Sequence, residues 1–248
     1  MPTVFSLDEL WATARDEGRR FDPAQIAAYP DPVKRYLNHA IAPGTVLASS
    51  VRLRMRGEIK LKRWHNFSAE EVISWETGMI WQAQVSMYGL PIRGSDRLLD
   101  GQGRMQWQLF GVLPFIDSGG ADVTRSAAGR VNIESVWLPS VLCRDEVRWS
   151  AADATHTRAE FHAHEQNAAL DLIVNESGGL HSFRMMRWGN PGGGEFRSAP
   201  FGGFVENEGQ FSGYTVPTRM KIGWYPLASG FDNEGEFFRV TVDSVRYR

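Results

Sequence analysis

The segment VRLRMRGEIKLK, residues 51–62, alternates without a break. Val51, Leu53, Met55, Ile59 and Leu61 are apolar, and Arg52, Arg54, Arg56, Glu58, Lys60 and Lys62 are charged, with Gly57 the one small residue on the apolar register. A period of two over twelve residues is a β-strand with one dry and one wet face. Such a strand commits the chain to a sheet that covers a core on one side only. Its wet face is strongly basic, with Arg63 next in line. Either carboxylates on neighbouring strands neutralise that stripe, or it stays unpaired and meets an anionic partner or lipid surface.

The same period recurs. In TGMIWQAQVSMY, Met79, Trp81, Ala83, Val85 and Met87 share a face; in RLLDGQGRMQWQLFG, Asp100-Gly101 is a hairpin turn followed by alternating Met105, Trp107 and Leu109. FSAEEVIS, with a capping signal at Ser68, interrupts the pattern as a short polar excursion. DEVRWSAA, THTRAEFHAH, AALDLIVNESGGLHSFRMMRW, YTVPTRMKIGWY and GEFFRVTVDSVRYR resume it, with a turn at Asp232–Gly235, and NPGGGEFRSAPFGG is a glycine-rich loop with an irregular edge. Nine or ten strands follow from this reading.

Helical spacing occurs in two places. Residues 1–43 hold SLDELWATARDEG, with Ser6 and Glu9 as a capping box and Gly18 as the stop. DPAQIAAY and DPVKRYLNHAI each open on an Asp-Pro pair. Between the two groups of strands a helix is expected from about Arg125 to Leu142, ended near Pro139. The expected organisation is an N-terminal helical segment, 1–43, packed on a curved antiparallel β domain, 44–248, that carries one inserted helix. The class is mainly β, α+β.

The blocks PDPVKRYLNHAI, VRLRMRGEIKL, IWQAQVSMYGLPIRGSDRLLDGQGRM, ESVWLPSVL, GYTVPTRMKIGWY and FRVTVDSVRYR resemble an uncharacterised bacterial family, a domain of unknown function. Its fold is similar to that of the envelope lipoprotein carriers LolA and LolB. The resemblance runs from about Pro30 to the C-terminus and is most specific in VWLP and YTVPTR. It implies a strongly curved antiparallel sheet, an incomplete barrel whose open side is plugged by the central helix. It implies no activity.

Nine Trp, eight Met and 14 Phe in 248 residues supply large, adaptable apolar side chains. The expected ligand-facing set is Met55, Met79, Trp81, Met87, Met105, Trp107, Trp137, Met220 and Trp224. Glu134, one turn from Trp137, is the candidate polar anchor for a head group and needs Arg56 or Arg93 as its partner. The preferred function is non-catalytic binding of an apolar or amphipathic small molecule, such as an acyl chain, in the half-barrel. A hydrolase- or isomerase-like enzyme using pocket carboxylates (Glu134, Asp96, Asp117) is one alternative, and a solid-cored partner-binding module is another.

Other chemistries find little support. His162, His164, His156 and Glu160 share a strand face opposite Ala159, Phe161 and Ala163, so they belong to the wet side and no metal is expected. No GxSxG, HExxH or phosphate loop occurs, and no cofactor is expected. Cys143, the single cysteine, reads as a plain buried thiol. A formal charge of −2 argues against nucleic acid as partner, and no apolar run reaches the length of a membrane-spanning helix. The first residues lack the pattern of a secretory signal, and no lipid-attachment cysteine lies near them, so a cytoplasmic location is expected.

Overall fold

The computed structural model describes residues 6–15, 18–227, 230–231 and 235–248. The alternation becomes strands β1 (Ser50–Leu61), β2 (Arg63–Ser74), β3 (Gly78–Met87), β4 (Leu90–Leu99), β5 (Gln102–Leu109) and β6 (Leu113–Gly119). After a helical crossover come β7 (Arg148–Ala151), β8 (His156–Ala163), β9 (Gln166–Val174), β10 (Leu180–Gly189), β11 (Arg197–Phe211), β12 (Tyr214–Trp224) and β13 (Glu236–Tyr247). All thirteen form one antiparallel sheet in the order β6-β5-β4-β3-β2-β1-β13-β12-β11-β10-β9-β8-β7. Two meanders therefore meet at the β1–β13 pair, where Val51 faces Tyr247 and Ile59 faces Phe238. β6 and β7 are left as the edges, so the barrel is incomplete.

The polypeptide passes from one edge to the other through α3 (Ala121–Ile133), which packs against β3–β6 on one flank and β9–β10 on the other. It thus lies inside the curve and plugs it, as the resemblance implies. Its limits differ from the expected ones. Gly120, at φ +95°, opens it four residues early. It gives way at Glu134 to two 3-10 turns, Glu134–Trp137 and Pro139–Cys143, the second opening on Pro139, which cannot sit inside an α-helix. Both turns are buried and anchored: Trp137 Nε1 donates to the Pro217 carbonyl at 3.0 Å, and Ser140 Oγ to the Ala48 carbonyl at 2.6 Å.

At the N-terminus, α1 (Leu7–Ala12) opens on the Ser6–Glu9 capping box and is closed by Thr13, well before Gly18. Its Leu10 packs on the outer face of the sheet against Val72 and Ile80. Asp22 caps a 3-10 turn at Pro23–Ile26. In α2 (Asp31–Ala40) Asp31 is the first helical residue and pairs with Lys34, so it is no cap; Val33, Tyr36, Leu37 and Ala40 are buried.

Two segments depart from the sequence reading. FSAEEVIS is the second half of β2, with Glu70 turned out and Glu71 in. The glycine-rich segment after Asn190 turns only over Pro191–Gly193 and then enters β11, the longest strand and one inside the sheet. Of the turn expected at Asp232–Gly235, residues 232–234 lie outside the described residues.

Candidate functional site

Glu71, Trp81 and Asp96 stand directly opposite one another on the inner faces of β2, β3 and β4. Over this row α3 projects Arg130. Its Nε donates to Glu134 Oε1 at 2.6 Å, Nη2 to Glu71 Oε1 at 3.0 Å and Nη1 to Asp96 Oδ2 at 3.5 Å, while its guanidinium carbon sits 5.0 Å from the Trp81 ring centre. Trp107 Nε1 donates to Asp96 Oδ1 at 3.0 Å. Gly94 makes this possible, since a Cβ there would stand 2.4 Å from the Trp107 ring.

Three carboxyls around one guanidinium are too many anions to bury. Burial first, then the Glu134 carboxylate, push the Glu71 carboxyl well above the ordinary range, with Arg130 opposing. Glu71 Oε2 and Glu134 Oε2 are buried without a hydrogen-bond partner. Asp96 is also raised, chiefly by burial against the pull of Arg130. Its side chain nevertheless keeps 24% of its surface accessible, whereas Glu71 keeps none. Asp96 is therefore crowded by protein yet reachable.

A second arginine faces inward from β10. The stem of Arg187 lies on Gly129 of α3, and its guanidinium carbon is 4.5 Å from the Phe201 ring centre and 5.5 Å from that of Trp224. Its donors reach only Ser126, the carbonyl at 3.3 Å and Oγ at 3.4 Å, and among the described residues no carboxylate lies within ion-pair distance. Burial, and then repulsion from Arg130, lower its pKa to about 10, so it stays cationic at neutral pH. Between the two arginines runs an arc of aromatic rings: Trp107, Trp81, Phe67, Phe238, Phe237, Phe201 and Trp224, with neighbouring centres 4.7–6.5 Å apart.

The residues expected to face a ligand divide into two groups. Met55, Met79, Trp81, Trp137 and Met220 are buried in the continuous core under α3. Met87, Met105 and Trp224 keep accessible surface, and Trp107 and Glu134 keep a little. Glu134 takes Arg130 as its partner, not the expected ones: Arg56 pairs with Asp243, and Arg93 bonds Gln84. Asp117 is on the outer face with Arg104 at 2.8 Å. His162 is exposed beside Asn167, and His156 pairs with Asp153. Two clefts, of about 350 and 450 Å³, lie on the outer face of β8–β11; Thr155 and His181 line the first, Arg158 and Arg184 the second. No helix is long and apolar enough to cross a membrane among the described residues.

Sequence reasoning missed Glu71, Arg130 and Arg187. Glu71 stands at an inward position of β2, where an acid breaks the pattern. That signal was hidden by reading the segment as an excursion.

A family profile matches residues 27–247 and carries the description family of unknown function, DUF6920. The chain belongs to this family. DUF6920 is the uncharacterised family the sequence blocks resemble. Among solved structures, a LolA superfamily protein from Nitrosomonas europaea is similar at 9% identity and TM-score 0.46, covering 88% of this chain and 92% of that one. A domain assigned to outer membrane lipoprotein sorting, from Vibrio parahaemolyticus, is similar at 7% identity and TM-score 0.42, covering 81% and 86%. No curated protein matches the chain.

Proposed function

We propose that this DUF6920 protein is a non-catalytic binding protein for an amphipathic small molecule with an anionic head and an apolar body. The observation that carries this reading is Arg187: a half-buried cation, without a carboxylate partner among the described residues, at one end of the inner aromatic arc. A half-buried charge without a counter-ion in contact is costly and is retained where something answers it. A carboxylate or phosphate head bonded to the Arg187 fork would leave the apolar body along Phe201, Trp224 and the accessible sides of Met87, Met105 and Trp107. Glu134 anchors α3 here and does not touch the head group.

The carboxyls around Arg130 raise the other reading, acid–base catalysis on a hydrophobic substrate. That chemistry needs two reachable titratable groups. Glu71 has no accessible surface, and Glu134 keeps 11% with Oε1 held by Arg130 and Oε2 buried, so Asp96 is the one of the three carboxyls open to a substrate.

Native mass spectrometry of the purified protein, followed by titration with a fluorescent fatty acid, tests the proposal. A copurifying anionic amphiphile, or saturable uptake that Arg187→Met weakens tenfold or more, is the expected result. A protein that emerges empty and takes up no probe overturns it.

A further inference from the structure

The basic stripe of β1 is neutralised along most of its length. Arg52 pairs with Glu70 and Asp8, Arg54 lies 3.6 Å from Glu70, and Arg56 pairs with Asp243. At the tip this stops: exposed Lys62 and Arg63 have no carboxylate partner among the described residues. This tip and those of the successive antiparallel hairpins β3–β4 and β5–β6 lie on the same end of the sheet, which the β8–β9, β10–β11 and β12–β13 turns share on the other half. At a strand spacing of about 4.8 Å the outer two of these three tips stand roughly 20 Å apart.

The three tips carry most of the exposed large apolar side chains of the molecule: Leu61, Tyr88, Leu90, Phe110, Val112 and Leu113. The turns at the other end of these strands, around Thr77 and Asp100-Gly101, expose none. Two tip residues also sit in backbone conformations that ordinarily go to Asn, Asp or Gly. Tyr88 has φ +51° and Phe110 φ +54°, each followed by a glycine with positive φ. Hairpin formation does not call for an aromatic ring there, and the rings are 72% and 52% exposed. Charge sets these tips apart too. The tip segments 59–66, 86–93 and 107–116 contain Lys60, Lys62, Arg63 and Arg93 and no Asp or Glu, whereas the β8–β9 and β10–β11 turns on the other half bring Glu165 and Glu195 to this end.

We infer that these three hairpin tips, on the β1–β6 half of the sheet, are a peripheral membrane-docking surface, inserting their apolar side chains into the interface of an anionic bilayer while Lys62 and Arg63 meet the lipid phosphates. Separate projecting tips with aromatic, aliphatic and cationic residues interleaved suit a soft interface of apolar and phosphate layers. They do not form the flat, packed core of a protein–protein interface. The inference stands apart from the ligand reading, since an empty inner face would leave it intact.

Sedimentation with vesicles of phosphatidylcholine alone, and with added phosphatidylglycerol, tests it on the full chain. Binding to the anionic vesicles, weakened by salt, is expected, with a blue shift of Trp64 fluorescence. Lys62→Ala/Arg63→Ala should weaken that binding about 20-fold. Tyr88→Ser/Phe110→Ser/Val112→Ser should abolish the salt-resistant remainder while the melting temperature holds. Failure to bind anionic vesicles at low salt overturns the inference. So does binding that both variants leave unchanged, or a dimer in solution that the triple substitution dissolves without any vesicle binding.

Discussion

Glu71 is the residue on which the interior turns. Its folded pKa is raised, so the native state holds a proton that the unfolded chain releases once pH passes the ordinary value of 4.5. The sign follows: the stabilising contribution is fully present below that value, declines as pH rises toward the folded pKa, and is flat beyond. Thermal melts across pH should show this decline in the native protein, and Glu71→Gln, which is neutral at every pH, should reduce it to the part that the raised Asp96 contributes. A variant with the same slope as the parent would place the extra native-state proton on another group. Arg130 is the converse case. Arg130→Met leaves two buried acids without their cation and should cost about 3–5 kcal/mol in denaturant unfolding, far more than Glu71→Gln. Gly94→Ala reaches the same site from the sheet, because its new Cβ would meet the Trp107 ring and the Gln106 carbonyl, each at 2.4 Å. A loss of about 1–3 kcal/mol, with a shift in Trp fluorescence, is expected. The Cys143 thiol, pushed up to about 12 by burial, should resist a thiol reagent in the native state and react on unfolding.

The strands were legible because an inner face that buries Val51, Leu53 and Met55 and an outer face that meets water impose a period of two that no helix can satisfy. That logic fails where a strand departs from binary patterning. Glu70 and Glu71 look like one polar run in the sequence, and only the pleat separates a surface partner of Arg52 from the buried partner of Arg130. β11 was hidden for another reason: Gly202 and Gly203 remove the pattern, yet they are required where a Cβ would strike the Phe183 carbonyl or its ring. The α3 region was legible as helical, but its switch to 3-10 turns follows from the buried anchors at Pro217 and Ala48, contacts 80 and 92 residues distant in sequence. The candidate site was half legible. Trp107, Met105 and Trp224 follow from alternation. Arg187 does not, since a cation at an inward position becomes informative only once its lack of a counter-charge is seen.

At the scale of the molecule, topology sets where stability is concentrated. Within the sheet the two meanders pair through β1 and β13, and Ser49 and Ser50 bond the Arg248 carbonyl, so the chain's last strand lies in the middle of the sheet. The edges β6 and β7 have one strand neighbour each, and β6 is solvent-exposed through most of its length. Local opening should therefore start at the edges and end at the seam. Native-state hydrogen exchange should find the slowest amides in β1, β12 and β13 and the fastest in β6 and β7, with α3 between them because it grips both flanks. Removing residues 236–248 would take away the strand that both halves pair with, exposing two new apolar edges, and should yield insoluble protein. Substituting the β5–β6 tip should leave solubility and exchange at the seam unchanged. If instead β13 exchanged as fast as β6, the two halves would be separate folding units meeting late. The inner aromatic arc, which crosses the seam from Phe67 to Phe238, would then be completed only as they docked.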